Sequence, residues 1–296
     1  MKTEKPPVYD ILAIAIVAVW GLTFISTMKL LGHFRPAQIF FIRFTIAYAG
    51  MWVFSHKRLF STSIKDEARL ALAGIMGGSL YFYAENTALQ VSHQASCISF
   101  IVCTTPLVTS ILAVSLRKKG AVMTVPLAAG SIIALAGIAM VMLNGSVFEG
   151  IPVSGYILAM VASVTWAVYT ILVGDMSEKY ESAFVSRKVF FYGLITIIPV
   201  LIAEGDRFRP SSFLIPEVAF NILFLSVIAS LACYALWTPV IKKLGAVKAS
   251  NYIYLNPVFT MTGAIIFLGE KMTALSLIGS AVTLLGVWIA GRKRLR

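Results

Sequence analysis

The chain has 296 residues, of which 58% are hydrophobic and 13% charged, with a mean hydropathy of +0.86. A soluble domain carries about 25% charged and about 45–50% apolar residues, so this apolar content exceeds what one soluble core can absorb. The formal charge of +12 does not point to nucleic acid, because the bases form short clusters between apolar runs and not a basic stripe with interleaved aromatics.

Apolar runs of about 18 residues or more recur, each long enough to cross a bilayer, whereas a closed β-barrel would alternate. Ten spans are predicted, at 9–28, 36–55, 69–90, 94–116, 122–143, 154–174, 183–203, 217–241, 246–269 and 272–291. The expected fold is therefore an all-α integral membrane protein. The longest connections, 56–68, 175–182 and 204–216, are too short for a soluble domain. The first run follows Lys2 and Lys5 but is too long for a signal peptide and lacks a small-x-small cleavage site, so it reads as the first span. Cys97, Cys103 and Cys233 lie inside apolar runs without metal-ligand spacing and read as small core residues.

Orientation follows from the bases. Lys2, Lys5, Lys57, Arg58, Lys65, Arg69, Arg117, Lys118, Lys119, Lys179, Arg187, Lys188, Lys242, Lys243, Lys248, Arg292, Lys293, Arg294 and Arg296 fall on one side. The other side has Lys29, Arg35, Arg207, Arg209 and Lys271. The asymmetry predicts a multi-pass protein of the cytoplasmic (inner) membrane with both termini inside.

The chain repeats. Gly130-Ser131 followed by Gly137 returns as Gly279-Ser280 followed by Gly286, an offset of 149. Pro106 answers Pro257 at 151, and Trp20 answers Trp166 at 146. One duplication accounts for these offsets, with halves at 1–147 and 148–296. Each half holds five spans. An odd number makes the second copy enter the membrane from the opposite side, giving two inverted five-helix repeats. That is a transporter architecture with a site near the midplane.

The polar knot Ser79–Gln90 stands out within this apolar wall. A mid-membrane acid costs roughly 2.5–3.5 kcal/mol on insertion scales, yet Glu85 sits in the third span. It lies about 7–8 Å below the outer end of that span, and Arg43 about 10 Å below the same surface on the second. The two either pair or approach each other across a cavity. Glu85 would bind a cationic or amine part of a substrate, or carry a proton, since a dry site favours the neutral form of an acid. Asn86 and Gln90 share a helix edge, and Tyr81 lies one turn before Glu85. Asn251, Tyr252, Tyr254 and Asn256 form a matching cluster in the ninth span. Pro106 and Pro257 each remove a helix hydrogen bond and read as hinges or static kinks. Trp20 and Trp166 lie too deep for interfacial anchors and either stack on substrate, wedge the halves apart or pack. Lys188 reads as a snorkelling anchor, and Glu270 with Lys271 as a solvated helix end. His33, His56 and His93 lie near span ends, and no nucleophile constellation or phosphate-cradling loop occurs. The expectation is a non-enzyme without metal or cofactor.

The ordered motifs carry a resemblance. These are Trp20-Gly21, Arg43-Phe44, Ala88-Leu89, Asn256-Pro257-Val258-Phe259, Leu268-Gly269-Glu270-Lys271, and Gly279-Ser280 to Gly286. Over nearly its whole length the chain resembles the drug/metabolite transporter superfamily, in its EamA-type ten-span branch. One departure is the end of the fourth span, Leu116-Arg117-Lys118-Lys119-Gly120, where the family often has a Gly-Glu pair. The resemblance implies a central cavity walled by the third, fourth, eighth and ninth spans, with Tyr234, Trp237 and Tyr254 as aromatic walls or gates. It also implies export of amino acids, nucleobases or related metabolites. The candidate substrate-binding set is Glu85, Asn86, Tyr81, Trp20, Trp166, Tyr234, Asn251, Tyr254 and Asn256. The expected function is a secondary exporter of small polar metabolites by alternating access, with protons as the candidate coupling ion, acting as a monomer or weak homodimer. The alternative is a non-transporting membrane scaffold or receptor in which the polar knot is structural.

Overall fold

The computed structural model describes residues 8–56, 60–117, 124–142, 152–205, 210–269 and 273–290. Lys2, Lys5, Lys57, Arg58, Lys118, Lys119, Arg207, Arg209, Glu270, Lys271, the bases from Arg292 onward and the half-boundary at 147/148 lie outside the described residues.

Among the described residues all regular structure is helical. In chain order the helices are α1 Val8–Leu30, α2 Pro36–Phe54, α3 Ile64–Gly74, α4 Leu80–Ser92, α5 Ala95–Val102, α6 Thr105–Ser115 and α7 Val125–Met142. Then follow α8 Val153–Lys179, α9 Ser182–Glu204, α10 Pro216–Leu223, α11 Cys233–Leu244, α12 Ala246–Asn251, α13 Asn256–Leu268 and α14 Ala274–Ala290. Several merge end to end. A π-helical turn, Ile75–Ser79, joins α3 to α4, and a longer π stretch, Phe224–Ala232, joins α10 to α11. A 3₁₀ turn, Tyr252–Leu255, joins α12 to α13. Ends follow local chemistry. Pro36 opens α2 where its missing N–H is not needed, Ser63 Oγ accepts from Asp66 N at the start of α3, and Gly205 and Gly269 close α9 and α13 in the left-handed region.

Seven helical stretches are long and apolar enough to cross a membrane: Val8–Leu30, Pro36–Phe54, Ala95–Ser115, Val153–Lys179, Ser182–Glu204, Pro216–Leu244 and Ala246–Leu268. The other three predicted spans fall on α3 with α4, on α7 and on α14. The distribution of side chains is inverted relative to a soluble protein. Ile132, Ile202, Phe220 and Ile266 stand exposed, while Ser99, Thr109, Ser226, Ser230 and Thr260 are wholly buried. An apolar exterior over a core rich in small hydroxyls is the solution for a bilayer, where lipid offers no hydrogen bonds. The chain is a multi-pass membrane protein.

The packing repeats as the sequence does. α1 lies against α13, and α6 lies against α8; α4 lies against α8, and α11 against α1. In each case the second contact is the first with the two halves exchanged. α7 packs along α14. There a Cβ on Gly130 would lie 2.4 Å from Gly286 O, and one on Gly137 would lie 2.5 Å from Gly279 O. The numbers rise along one helix as they fall along the other, so the pair is antiparallel. Each repeat glycine meets the counterpart of the other glycine in its own motif, as in a self-complementary two-fold contact. The glycines let the backbones touch.

The Pro106 and Pro257 expectation changes in one respect. Neither sits inside a continuous helix. Each occupies the first turn of a new one, α6 and α13, after a turn at Cys103–Thr104 and after the 3₁₀ turn respectively.

Gly130→Leu is expected to overpack the α7–α14 seam and cost at least about 1–3 kcal/mol, read as a lower thermal midpoint in detergent. Ile132→Val, on the exposed face of the same helix, should leave the midpoint within a degree or two, about the range of a neutral surface change.

Candidate functional site

Four helix interruptions surround one cavity, and at each a neighbouring side chain donates to a backbone carbonyl. The π turn at Gly77 gives its carbonyl to the Tyr234 hydroxyl at 2.8 Å. The π stretch at Ala229 gives its carbonyl to Trp20 Nε1 at 3.1 Å. Pro106 leaves the carbonyl of Val102 without its helical donor, and the Thr105 hydroxyl donates to it at 2.7 Å. Pro257 likewise has no N–H to offer Ile253, whose carbonyl accepts from Asn256 N within the 3₁₀ turn and from Cys103 Sγ at 3.1 Å. Gly77 and Ala229 are 152 residues apart, and Val102 and Ile253 are 151 apart, so these are two kinds of interruption, each made twice.

Trp20, Tyr234, Val102 and Ile253 all line the cavity. So do Glu85, Arg43, Tyr81, Trp166 and Asn256, joined by Thr23, Phe24 and Phe82. The rings interlock: Trp20 meets Trp166 edge-on at 5.2 Å, and Tyr81 packs on Trp166 at 4.7 Å. The free space is about 30 Å³, which admits water but is far below the several hundred Å³ of a metabolite-sized pocket.

Glu85 and Arg43 face this space without forming an ion pair with each other. Glu85 Oε1 accepts from the Tyr81 hydroxyl at 2.8 Å. Arg43 Nε donates to Ser230 Oγ, and its guanidinium carbon stands 4.4 Å from the centroid of Phe82. Both side chains are more than nine-tenths buried. Each charge therefore keeps unused hydrogen-bonding capacity next to the cavity, since a guanidinium has five N–H donors and a carboxylate about four acceptor sites. Asn256 Oδ1 is likewise buried without a protein partner.

The remaining candidates lie elsewhere. Asn86 turns away from the cavity, and its Nδ2 donates to Pro36 O at 3.1 Å. Tyr254 is buried and Asn251 half-buried, but neither is among the lining residues. Trp237 stands behind Trp20, ring to ring at 4.9 Å. The prolines do not line the cavity themselves; the residues four before them do. That spacing was available in the sequence, because a proline has no N–H to give the carbonyl four residues before it. Nothing in the sequence pointed to Ser230, Thr23 or Phe82.

Lys188 is not a snorkelling anchor. Its side chain is buried, pairs with Glu67 and is ringed by Phe60, Phe184, Phe191 and Tyr192. Burial alone would raise the Glu67 carboxyl, which precedes the third predicted span, but hydrogen bonds from Lys188, Tyr192 and Ser61 outweigh it and hold the pKa at about 2.

Tyr234→Phe is expected to strand the Gly77 carbonyl and cost about 1–3 kcal/mol, seen as a fall in thermal midpoint that Tyr83→Phe, on a half-buried tyrosine away from the cavity, does not reproduce.

Comparison with known proteins agrees with this architecture. A transporter of unassigned substrate from Archaeoglobus fulgidus is 27% identical over 280 residues, covering 93% of this chain and 94% of that protein. A probable amino-acid metabolite efflux pump of Salmonella typhimurium is 22% identical over 293 residues, covering 94% and 93%. A probable terminal-alkyne amino-acid exporter of Streptantibioticus cattleyicolor is 25% identical over 232 residues, covering 78% and 75%. A solved crystal structure superposes with a TM-score of 0.67 at 18% identity over 96% of this chain and 95% of that one, which is a likeness of fold. The EamA-like transporter family matches residues 8–143 and again residues 153–292, and the chain belongs to that family.

Proposed function

We propose that the protein is a secondary exporter of small zwitterionic metabolites, amino acids foremost, working by alternating access between two inverted five-helix repeats. The observation that carries the reading is the pairing of charges at the cavity. Glu85 is the acid and Arg43 the base among its lining residues, and they sit among aromatic faces without neutralising each other. A ligand with an ammonium and a carboxylate would compensate both buried charges at once. A nucleobase would stack on Trp20 and Trp166 but leave both charges uncompensated, which is costly in a dry site. The names of the Salmonella and Streptantibioticus relatives support the same substrate class.

The ten-span, inverted reading draws support from the exchanged helix contacts and the antiparallel α7–α14 seam. A cavity too small for a metabolite fits an occluded state, with access reached by rocking one half on the other. The distribution of described bases supports the orientation. Lys65, Arg69, Lys179, Lys242, Lys243 and Lys248 collect at one end of the bundle, while Lys29 and Arg35 stand at the other. The first end is then cytoplasmic, with both termini inside the inner membrane. Protons are the coupling ion this site would take, through Glu85.

Glu85→Gln is expected to abolish the thermal stabilisation that a binding amino acid gives the purified protein, and to cut counterflow in proteoliposomes by roughly tenfold or more, equivalent to about 1.4 kcal/mol per decade of lost affinity. A zwitterion that stabilises both forms equally would remove Glu85 from the site. Flux that ignores an imposed pH gradient would remove the proton.

A further inference from the structure

The bundle is fastened at both ends by ion pairs that the duplication relates to one another. At the end read as cytoplasmic, Lys179 Nζ, in the last turn of α8, meets Asp66 Oδ1, in the first turn of α3, at 3.0 Å. At the opposite end, Lys29 Nζ, in the last turn of α1, meets Glu217 Oε1, in the first turn of α10, at 2.5 Å. α8 is the counterpart of α1, and α10 of α3. Asp66 and Glu217 are 151 residues apart, and Lys29 and Lys179 are 150 apart. These offsets fall among those of the glycines, prolines, tryptophans and released carbonyls. Neither pair was legible as a motif, since an acid and a base at helix ends are ordinary. What distinguishes them is that two-fold exchange turns one into the other. Each also joins helices from different halves, and both are closed while the cavity between them is shut.

We propose that Asp66–Lys179 and Glu217–Lys29 are the two latches of the carrier, one opening while the other holds. The proposal rests on the alternating-access reading above. The latches are unequal. The Lys179 side chain is 52% exposed, but Asp66 is only 9% exposed, also accepts from the Tyr180 hydroxyl at 2.9 Å, and lies beside the ringed Lys188–Glu67 pair. The Lys29 and Glu217 side chains are 32% and 60% exposed. An exposed pair is screened and weak, whereas a buried carboxylate held by both a lysine and a tyrosine hydroxyl is harder to release. The Glu217 latch therefore opens first, and the substrate-free carrier rests with its cytoplasmic end closed.

Sided labelling tests this. Cys97, Cys103 and Cys233 are replaced by serine, and a reporter cysteine is placed at the cavity by Thr23→Cys. An impermeant maleimide is then applied from either face of oriented membrane vesicles. Glu217→Gln should raise labelling several-fold from the outer face alone. Asp66→Asn should raise it several-fold from the cytoplasmic face alone, with Lys179→Gln substituted if that variant does not insert. The exchanged pair Lys29→Glu with Glu217→Lys should return outer labelling to its starting level. Equal labelling from both faces, no change in labelling, or a lowered thermal midpoint without sided labelling overturns the latch proposal. Amino-acid flux by the unmodified protein, measured in the same vesicles, is scored separately. Absent flux with sided labelling refutes the substrate reading and leaves the latches standing.

Discussion

The cavity depends on how interrupted helices satisfy their backbone inside a bilayer. Each break rearranges the helix's own hydrogen bonds, and around this site four backbone carbonyls at the breaks accept from side chains. They are taken by Tyr234, Trp20, Thr105 and Cys103. Two of those donors, Trp20 and Tyr234, are themselves cavity walls. The aromatic lining and the helix breaks are therefore one structure: the rings are held in place by the carbonyls that the breaks release. A helix interruption at membrane depth is tolerated where it lines a cavity, and here it also orients the lining.

The same economy appears in the charges. Arg43 is fixed by Ser230 and by the face of Phe82, and Glu85 by the hydroxyl of Tyr81. Each is held by a neutral partner, so neither is tied to the other at the cavity. A direct pair would satisfy the two at the expense of the site. At the end that holds Asp66 and Glu67 the arrangement is the opposite. Asp66 and Glu67 are tied to Lys179 and Lys188 directly, which suits groups that fasten helices and do not meet a ligand.

Duplication explains why these features come in pairs. A unit that packs against its own copy within one chain makes each contact between the copies twice, or once where like surfaces meet. The α7–α14 seam lies on the axis, and its glycines allow the backbone contact that two like surfaces require. The two π stretches, the two proline breaks and the two end pairs are the off-axis cases.

The helical class, seven of the spans, the repeat offsets and the oddity of Glu85 were legible in the chain, because apolar run length, glycine spacing and a stray acid are local properties. The repeat even placed Trp20 and Trp166 in correspondence before their rings were known to touch. Other properties belong to the folded bundle. Asn86 and Gln90 share a helix edge next to Glu85, yet Asn86 turns to Pro36 O while Glu85 faces the cavity, since successive helix residues point to different neighbours. Lys188 looked free to reach the surface, but Glu67 and four rings enclose it. Whether Arg43 met Glu85 or Ser230 rested on side chains some 190 residues apart in the chain. Periodicity and composition determine which segments enter the membrane; which side chain meets which is decided where separate helices converge, and only tertiary packing brings those helices together.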